Sequence, residues 1–348
     1  MSRAERRERR RNDQPTIVDV AERAGVSKSL VSLVLRDSPH VSEHRRTAVL
    51  EAIDALGYRP NAVARSLVTR RTRVFGVLVS DLHNPFFADV VEGIQEAAQE
   101  HGYQALLGSG NRRSLQEEQV IEAMLELRTE ALLLVTPTVG PAILRVARDT
   151  VPVVVVGRQD IKVSRIDTVT SDEVAGTHAA VAHLVEHGHR RIGYIAGRVQ
   201  SDDPRGKGYR RAMSAFGLDD HVLIAAGAYT TEEGGYSGAE ELLSNDPRPT
   251  AILAVNDPAA IGALAAIEDR GLRVPEDISL VGYDNSQLAS LRPLGLTSVH
   301  QPRFEMGQRA FAALLGRIDG GSQRAKHEVL PPTLVERSTV AAPPPEAG

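Results

Sequence analysis

The chain has 348 residues, of which 42% are hydrophobic and 25% charged, a composition typical of folded globular proteins. It contains no cysteine, which excludes disulfides, thiolate catalysis and cysteine-ligated zinc. No stretch of the sequence approaches the roughly 20 apolar residues that a membrane helix needs. No apolar segment follows the arginine-rich residues 1–11, as it would in a secretory signal. We therefore expect a cytoplasmic protein of two or three compact units that has no membrane partner.

Charge is distributed unevenly along the chain. Residues 1–73 hold 16 basic and 9 acidic residues, a net of +7, whereas the remainder holds 25 basic and 36 acidic residues, a net of −11. Because attraction to phosphates supplies most non-specific affinity for nucleic acid, the pattern predicts a basic DNA-facing module on an acidic body. A basic tail without a partner is the alternative. We expect residues 1–14 to be a disordered basic arm.

The stretch Thr16–Arg36 is predicted to form two short helices joined by a tight turn. Gly25 lies where the first helix must stop, because the turn needs a backbone angle that glycine adopts without strain. Ser27 is a suitable N-cap for the second helix. The buried side of that helix is predicted to comprise Leu30, Val31, Val34 and Leu35. Two crossed helices with such a turn favour a DNA-binding helix-turn-helix, with an ordinary helical hairpin as the alternative.

A third helix is predicted from Ser42, its cap, to about Leu56, with Gly57 ending it. Pro60 and Asn61 then start a short helix over residues 62–68, which is too short to be stable alone. This helix lies between the basic module and the acidic body. A plain linker is the alternative interpretation.

From Val74 the hydrophobic pattern changes to continuous apolar runs separated by helical segments. The predicted strands are 74–80, 103–108, 131–135, 153–156, 191–195, 222–225, 251–255 and 278–283. The predicted helices are 90–100, 116–127, 141–148, 175–187, 206–216, 234–243 and 259–270, with a loop at 81–87. The alternation restarts after Asp172 and predicts two α/β lobes with doubly wound sheets.

The whole pattern resembles the LacI/GalR family of bacterial transcription regulators over roughly residues 15–340. In the N-terminal part the resemblance lies in DVAERAGVS, VSLVL and GYRPNAVARSL. In the body it lies in GVLVSDLHNPFF, HLVEHGHRRIGYIAG, AILAVNDPAAIGAL, ISLVGYDN and LTSVHQPRFEMG. The resemblance implies an all-α helix-turn-helix domain at 15–60, a hinge helix and linker at 61–73, and a periplasmic-binding-protein-like body at 74–340. Within the body we expect one lobe at about 74–171 plus 302–328, the other at about 172–301 plus 329–340, and a disordered tail at 341–348.

DNA contacts are expected from the second helix and from the hinge helix. The candidates are Thr16, Ser27, Lys28, Ser29, Ser32 and Arg36, with Asn61, Ala64 and Leu67 in the hinge. In the resemblance, Leu67 matches a leucine that wedges into the minor groove and kinks the operator. The chain departs from the family pattern at Leu33, which replaces an arginine that often reads guanine, and at Arg36, which replaces a common asparagine. We therefore expect an operator that differs from the family consensus near each half-site.

Small-molecule contacts are expected where strands end, because ligands bind beyond the carboxyl ends of strands in such sheets. The candidates are Asp81, Asn84, Phe86, Phe87, Arg158, Arg205, Tyr229, Asn256, Asp257 and Asp284. Planar polar groups pair with adjacent sugar hydroxyls, and aromatic rings cover the C–H surface. Of these, Arg205, Asn256 and Asp284 match family ligand positions by motif. Core packing is the alternative for Phe86, and capping of a helix is the alternative for Asp257, while Gln301 is expected in a crossover between the lobes.

The resemblance implies a dimeric repressor of carbohydrate-metabolism genes that binds a near-palindromic DNA operator under the control of a sugar-like effector held between the lobes. A nucleobase or nucleoside corepressor is the alternative effector. A solute-binding protein and an enzyme acting on a sugar are rivals of other classes, but neither a signal peptide nor a catalytic motif supports them. We expect no cofactor and no metal, since His183 and His187 have metal-ligand spacing without a carboxylate cluster.

Overall fold

The structure, a computed structural model, describes residues 15–35, 38–58, 71–158, 160–197, 203–226, 230–321 and 324–345. It divides into two units, residues 1–72 and residues 73–348, which we describe separately. The predicted arm, the predicted hinge helix and the candidates Arg36, Asn61, Ala64, Leu67 and Tyr229 lie outside the described residues.

The described residues of the N-terminal unit form three helices, α1 (Ile17–Arg23), α2 (Lys28–Val34) and α3 (Glu43–Leu56). Gly25, after α1, has the predicted positive φ of 63°. The Ser27 hydroxyl accepts a hydrogen bond from the Leu30 N–H at 3.2 Å and so caps α2, as predicted. The fully buried members of the small core are Val20, Val31 and Val49, one from each helix. The helix-turn-helix is therefore held together by a single apolar contact region.

The first lobe of the body contains a six-stranded sheet. Its strands are β1 (Val74–Val79), β2 (Gln104–Ser109), β3 (Leu132–Val135), β4 (Val153–Val156), β5 (Asp167–Ser171) and β11 (His327–Leu330). They lie in the order β2-β1-β3-β4-β5-β11, all parallel. Helices α4 (Pro85–Glu100) and α11 (Arg303–Ile318) cover one face, and α5 (Ser114–Glu126) and α6 (Pro141–Thr150) cover the other.

The second lobe repeats this architecture. Its strands are β6 (Ile192–Ala196), β7 (Leu223–Ala226), β8 (Ala251–Ala254), β9 (Ser279–Asp284), β10 (Thr297–His300) and β12 (Thr333–Val335). They lie in the order β7-β6-β8-β9-β10-β12, and only β12 is antiparallel to its neighbour. Helices α7 (Glu173–Glu186) and α8 (Pro204–Ala215) cover one face, and α9 (Glu232–Leu243) and α10 (Asp257–Asp269) cover the other. Both sheets are doubly wound, as predicted.

The prediction of a loop over residues 81–87 is wrong for the second half of that segment. Helix α4 begins at Pro85, with Asn84 as its N-cap accepting from the Phe86 N–H at 2.9 Å. Proline at the first helical position after an asparagine cap is a start signal that the apolar pattern alone does not show.

Strand β5 has no counterpart in the predicted elements. Its residues include polar side chains that are nevertheless buried, so no apolar run marks the strand. Asp167 is 4% exposed and accepts from the Arg317 guanidinium and from the Lys326 N–H. Thr168 is hydrogen-bonded to His327 at 2.9 Å. Polar side chains can lie inside a sheet when they are hydrogen-bonded. In the sequence such residues look like loop residues, so the pattern does not predict a strand.

Two predicted boundaries need correction. Strand β11 pairs with β5 up to Leu330, so the chain crosses to the second lobe after Leu330 rather than after residue 328. The segment assigned to a disordered tail begins with Ala341, whose carbonyl lies 2.8 Å from Nε2 of His189 and whose N–H donates to Ser279. The pairing partners of both segments lie far away in the sequence.

Candidate functional site

The outward surface of α2 carries most of the DNA-contact candidates that the structure describes. Lys28 and Ser29 are exposed, Ser32 is half-buried, and Leu33 is exposed between them and the end of the helix. Thr16 and Ser27 are the N-caps of α1 and α2. The Thr16 N–H and hydroxyl donate to the Asp19 carboxylate at 2.6 and 2.7 Å, and the Thr16 hydroxyl accepts from the Asp19 N–H at 3.4 Å in return. This closed capping box fixes the start of α1.

The carboxyl ends of both sheets bring most of the other candidates to one region between the lobes. In the first lobe, Asn84 is 8% exposed at the start of α4. Phe86 and Phe87 follow it, 5% and 7% exposed, with ring centroids 5.3 Å apart in an edge-to-face arrangement. Both rings belong to the apolar core of the first lobe. The structure therefore favours core packing, the alternative interpretation for Phe86, and extends it to Phe87.

Arg205 is the most heavily engaged candidate in the second lobe. Its Nε donates to Glu173 at 3.0 Å, its Nη1 donates to the Val255 carbonyl, and its guanidinium lies 4.0 Å from the centre of the Tyr283 ring. A further guanidinium nitrogen lies 3.7 Å from Asp284. Burial lowers the pKa of Arg205, but the charges of Glu173 and Asp284 outweigh it and raise that pKa above its usual value. The side chain is thus a permanent cation held over an aromatic ring.

Asp284 is the last residue of β9 and is 2% exposed. Its φ of 101° lies in the left-handed region, a strained conformation for a non-glycine residue. The Gln301 amide donates to it at 2.7 Å, and the Asn84 side chain of the first lobe also hydrogen-bonds to it. Burial raises the pKa of the Asp284 carboxyl, and Arg205 and Arg303 act in the opposite direction. Asp284 is therefore a buried carboxylate, in a strained backbone conformation, that has hydrogen-bond partners on both lobes.

A second connection between the lobes runs through Arg112, which the sequence analysis did not single out. Its Nη2 contacts the Asp81 carboxylate and also lies 3.4 Å from the Thr230 carbonyl oxygen of the other lobe. The Asn256 amide donates to the same carbonyl at 3.0 Å. Burial raises the pKa of Asp81, but the His83 N–H and Arg112 prevail and lower it, so the carboxylate is ionised. Arg112 therefore joins Asp81 of the first lobe to the Thr230 carbonyl of the second, and Asn256 donates to the same carbonyl.

Two candidates have other partners. Asp257 is fully buried and accepts from the Ser286 N–H and the Ser298 hydroxyl, both at 2.6 Å. It does not cap α10, since the N-cap is Asn256, whose side chain accepts from the Ala259 N–H. Asp257 thus holds the loop after β9 in place. Arg158 forms two 2.7 Å hydrogen bonds to Asp160 and a third to the Pro137 carbonyl, so it closes the loop after β4 on itself.

Arg303, at the start of α11, is a second arginine that the sequence analysis missed. It is 7% exposed, lies 2.7 Å from Asp89, and donates to the Asn285 carbonyl of the other lobe at 2.9 Å. The rule that picked residues after strands applies equally to Arg112, which follows β2. No comparable signal marks Arg303, because its partners lie about 20 and 210 residues away.

Within the described part of the chain, no group of three or more potential metal-ligating side chains is close enough to hold a metal ion. The ring centroids of His183 and His187 lie 4.4 Å apart, but Nδ1 of His187 is hydrogen-bonded to the His183 carbonyl and Nδ1 of His183 lies 3.4 Å from Glu336. No helix in those same residues is long and apolar enough to cross a membrane. The polar groups described between the lobes are hydrogen-bonded to other protein groups.

Comparison with family models assigns both parts of the chain. Residues 16–61 match the model described as bacterial regulatory proteins, lacI family. Residues 181–340 match a periplasmic binding protein-like domain. The first match covers all three described helices of the N-terminal unit, and the second covers most of the second lobe and the crossovers.

Similar proteins and structures agree with this assignment. The HTH-type transcriptional repressor PurR of Erwinia tasmaniensis is 34% identical over 333 residues, covering 94% of this chain and 98% of that protein. A crystal structure of the lac repressor dimer bound to operator and the anti-inducer ONPF is 28% identical, with a TM-score of 0.84 over 94% of this chain and 100% of that one. The complex of the transcriptional regulator CelR with cellobiose is 32% identical, with a TM-score of 0.69 over 94% and 100% of the two chains. The chain is a DNA-binding transcription regulator and not an enzyme, and it belongs to the lacI family of bacterial regulatory proteins.

Proposed function

We propose that this chain is a dimeric transcriptional repressor that binds a near-palindromic operator and responds to a sugar-like molecule held between its two lobes. The relatives that match over nearly the whole chain are named as repressors, and one similar structure is a dimer on its operator. A dimer places two recognition helices in successive major grooves, which requires two similar half-sites. The repressor works in the cytoplasm, at the chromosome.

The observation that carries the effector proposal is the arrangement of Arg205, Asp284 and Asn84 between the lobes. The first two residues belong to one lobe and the third to the other, so a molecule bound among them contacts both. Carboxylate, amide and guanidinium groups pair with adjacent hydroxyls, which is the recognition that a sugar requires. The related CelR structure holds cellobiose, which supports a carbohydrate as the effector class.

The proposed DNA contacts are made by the starts of α1 and α2, by α2 itself and by the predicted hinge segment at 61–73. Lys28, Ser29 and Ser32 read base edges, and Thr16 and Ser27 approach phosphates at the starts of their helices. Arg36, Asn61, Ala64 and Leu67 are proposed contacts from the sequence alone. Effector binding changes the relative populations of two arrangements of the lobes and thereby operator affinity, which couples two distinct sites.

The test is binding of the full-length protein to fragments of its own genome at a stated salt concentration, with and without a panel of mono- and disaccharides, nucleobases and nucleosides. We expect a palindromic footprint that one sugar weakens, which would identify an inducible repressor. A footprint that a nucleobase or nucleoside strengthens would replace the sugar proposal by a corepressor. If no condition produces a sequence-specific footprint, the repressor proposal is wrong.

A further inference from the structure

An exposed leucine lies on the surface of α2 that faces DNA in a helix-turn-helix. The Leu33 side chain is 39% exposed, whereas Val31 and Val34 on either side of it in the sequence are 0% and 5% exposed. Removing apolar surface from water is favourable, so a leucine that remains exposed forgoes part of the free energy that its burial would supply. The position of Leu33 on α2 indicates which molecule covers this side chain.

The helical geometry places Leu33 near the centre of the outward surface. At 3.6 residues per turn, successive side chains are rotated by about 100°. Around the helix axis, the outward direction is the one opposite to the middle of the buried Val31–Val34 side. Ser29 and Leu33 both lie within about 50° of this outward direction. The two residues are four apart and therefore adjacent along this surface. Leu33 thus shares the surface of Ser29 and lies one turn further along the helix.

The backbone around Leu33 is fixed by hydrogen bonds. Its carbonyl accepts from the Ser38 N–H at 3.0 Å, and its N–H lies within the regular part of α2. The side chain is therefore presented from an ordered helical turn rather than from a loop. The neighbouring exposed residues Lys28 and Ser29 are polar, so Leu33 forms an apolar spot beside hydrogen-bonding groups.

In the major groove, the apolar group that a base pair presents is the 5-methyl group of thymine. The other base edges there carry hydrogen-bond donors and acceptors. A leucine placed against them would exclude water without replacing the lost hydrogen bonds, which costs free energy. We propose that Leu33 contacts the 5-methyl group of a thymine in each operator half-site and selects for it. This inference rests on the proposed function, since it requires that α2 enters the major groove.

The experiment removes the methyl group from the DNA and the leucine from the protein separately and together. An operator is first selected from random DNA with the wild-type protein. Each thymine of its half-sites is then replaced by deoxyuridine, which lacks only the 5-methyl group, and binding is measured at constant salt. We expect one position per half-site where the replacement weakens wild-type binding by roughly fourfold, the worth of one buried methyl group.

The Leu33→Ala variant is expected to bind more weakly to the thymine operator and to be insensitive to deoxyuridine at that same position. Leu50→Ala is the matched control, because Leu50 is 50% exposed on α3. It should retain the wild-type response to deoxyuridine at every position. Circular dichroism and urea unfolding establish that both variants fold, as expected for exposed positions.

The outcomes separate the two proposals. Absence of any selected operator would overturn the repressor function itself. A specific operator whose deoxyuridine responses are the same in wild type and in Leu33→Ala would leave the repressor intact and overturn the role of Leu33. Wild-type binding that is insensitive to deoxyuridine at every thymine would overturn it as well.

Discussion

The guanidinium of Arg112 lies 3.4 Å from the carbonyl oxygen of Thr230 on the opposite lobe while it contacts the Asp81 carboxylate on its own lobe. Its backbone is held firmly, since the Arg112 N–H donates to the Ser80 carbonyl at 2.7 Å and its φ is 58°. A charged hydrogen bond between the lobes stabilises the arrangement of the lobes in this structure, which contains no effector. Arg112 therefore lowers the free energy that an effector must supply to bring the lobes together.

Replacement of Arg112 by alanine should let the lobes of the effector-free protein separate further. Loss of the contact to Thr230 leaves fewer bonds between the lobes, so the distribution of distances between them should lengthen and broaden. Double electron–electron resonance measures this directly, because the natural chain has no cysteine and takes labels only where they are introduced. Suitable sites are Gln119 on α5 and Lys207 on α8, both exposed and on different lobes.

Arg113→Ala is the control, since Arg113 is an exposed neighbour of the same charge. Labelled protein is diluted with excess unlabelled protein so that a dimer carries one labelled chain. An Arg112→Ala distribution identical to that of the wild type and the control would show that Arg112 does not hold the lobes together.

Lys28→Ala should weaken binding to the selected operator by about 1–3 kcal/mol if Lys28 donates to a base edge. The loss should be larger for the operator than for random DNA, because base contacts rather than phosphate contacts carry sequence information. Binding titrations with both DNAs at several salt concentrations distinguish these contributions. Equal losses on both DNAs would assign Lys28 to a phosphate, and unchanged operator affinity would remove it from the interface.

Arg317→Met should lower the free energy of unfolding of the protein by about 3–5 kcal/mol, since it leaves a buried carboxylate without its cation. Asp167 accepts from Arg317 Nε at 2.7 Å and is 4% exposed. Urea unfolding measures the change. Arg309→Met is the matched control on the same helix, because Arg309 pairs with Glu305 at the exposed surface and contributes little. Equal effects of the two substitutions would contradict a special role for the buried pair.

His189 should make the protein less stable as the pH falls below about 6.5, the usual pKa of a histidine. Burial lowers its pKa in the folded protein, and the hydrogen bond to the Ala341 carbonyl only partly opposes this. As the pH falls, the unfolded chain therefore binds the proton before the folded protein does. The stability that neutral His189 contributes above pH 6.5 is lost between that pH and the lowered pKa of the folded protein.

Comparison of wild type with His189→Gln tests this. Glutamine has a donor and an acceptor but does not titrate. The difference between the free energies of unfolding at pH 7.5 and pH 5.5 should be smaller in the variant. His183 and His300, whose pKa values are also lowered by burial, contribute equally to both proteins. An identical pH dependence would show that His189 does not contribute.

Local signals were sufficient to predict many of the elements. The turn glycine, the Ser27 cap and the apolar spacing of α1 and α2 act within a few residues, so the helix-turn-helix could be derived from Thr16–Arg36 alone. The continuous apolar runs of β1, β3, β4 and β8 are buried on both faces, and this burial is what their composition reflects. Asn84, Asn256 and Asp284 were found because they follow strands or end them.

The tertiary structure decided what depends on residues far apart in the chain. Strand β5 is polar in sequence and becomes a sheet strand because Arg317, 150 residues away, neutralises Asp167. Arg112 meets Thr230 over a separation of 118 residues, and Arg303 meets Asp89 over 214. The sequence by itself determined the family, many of the element types and the strand ends at which ligand contacts are expected. Which polar groups are already paired across the lobes follows only from folding, because a charge–charge contact between distant segments leaves no periodic pattern along the chain.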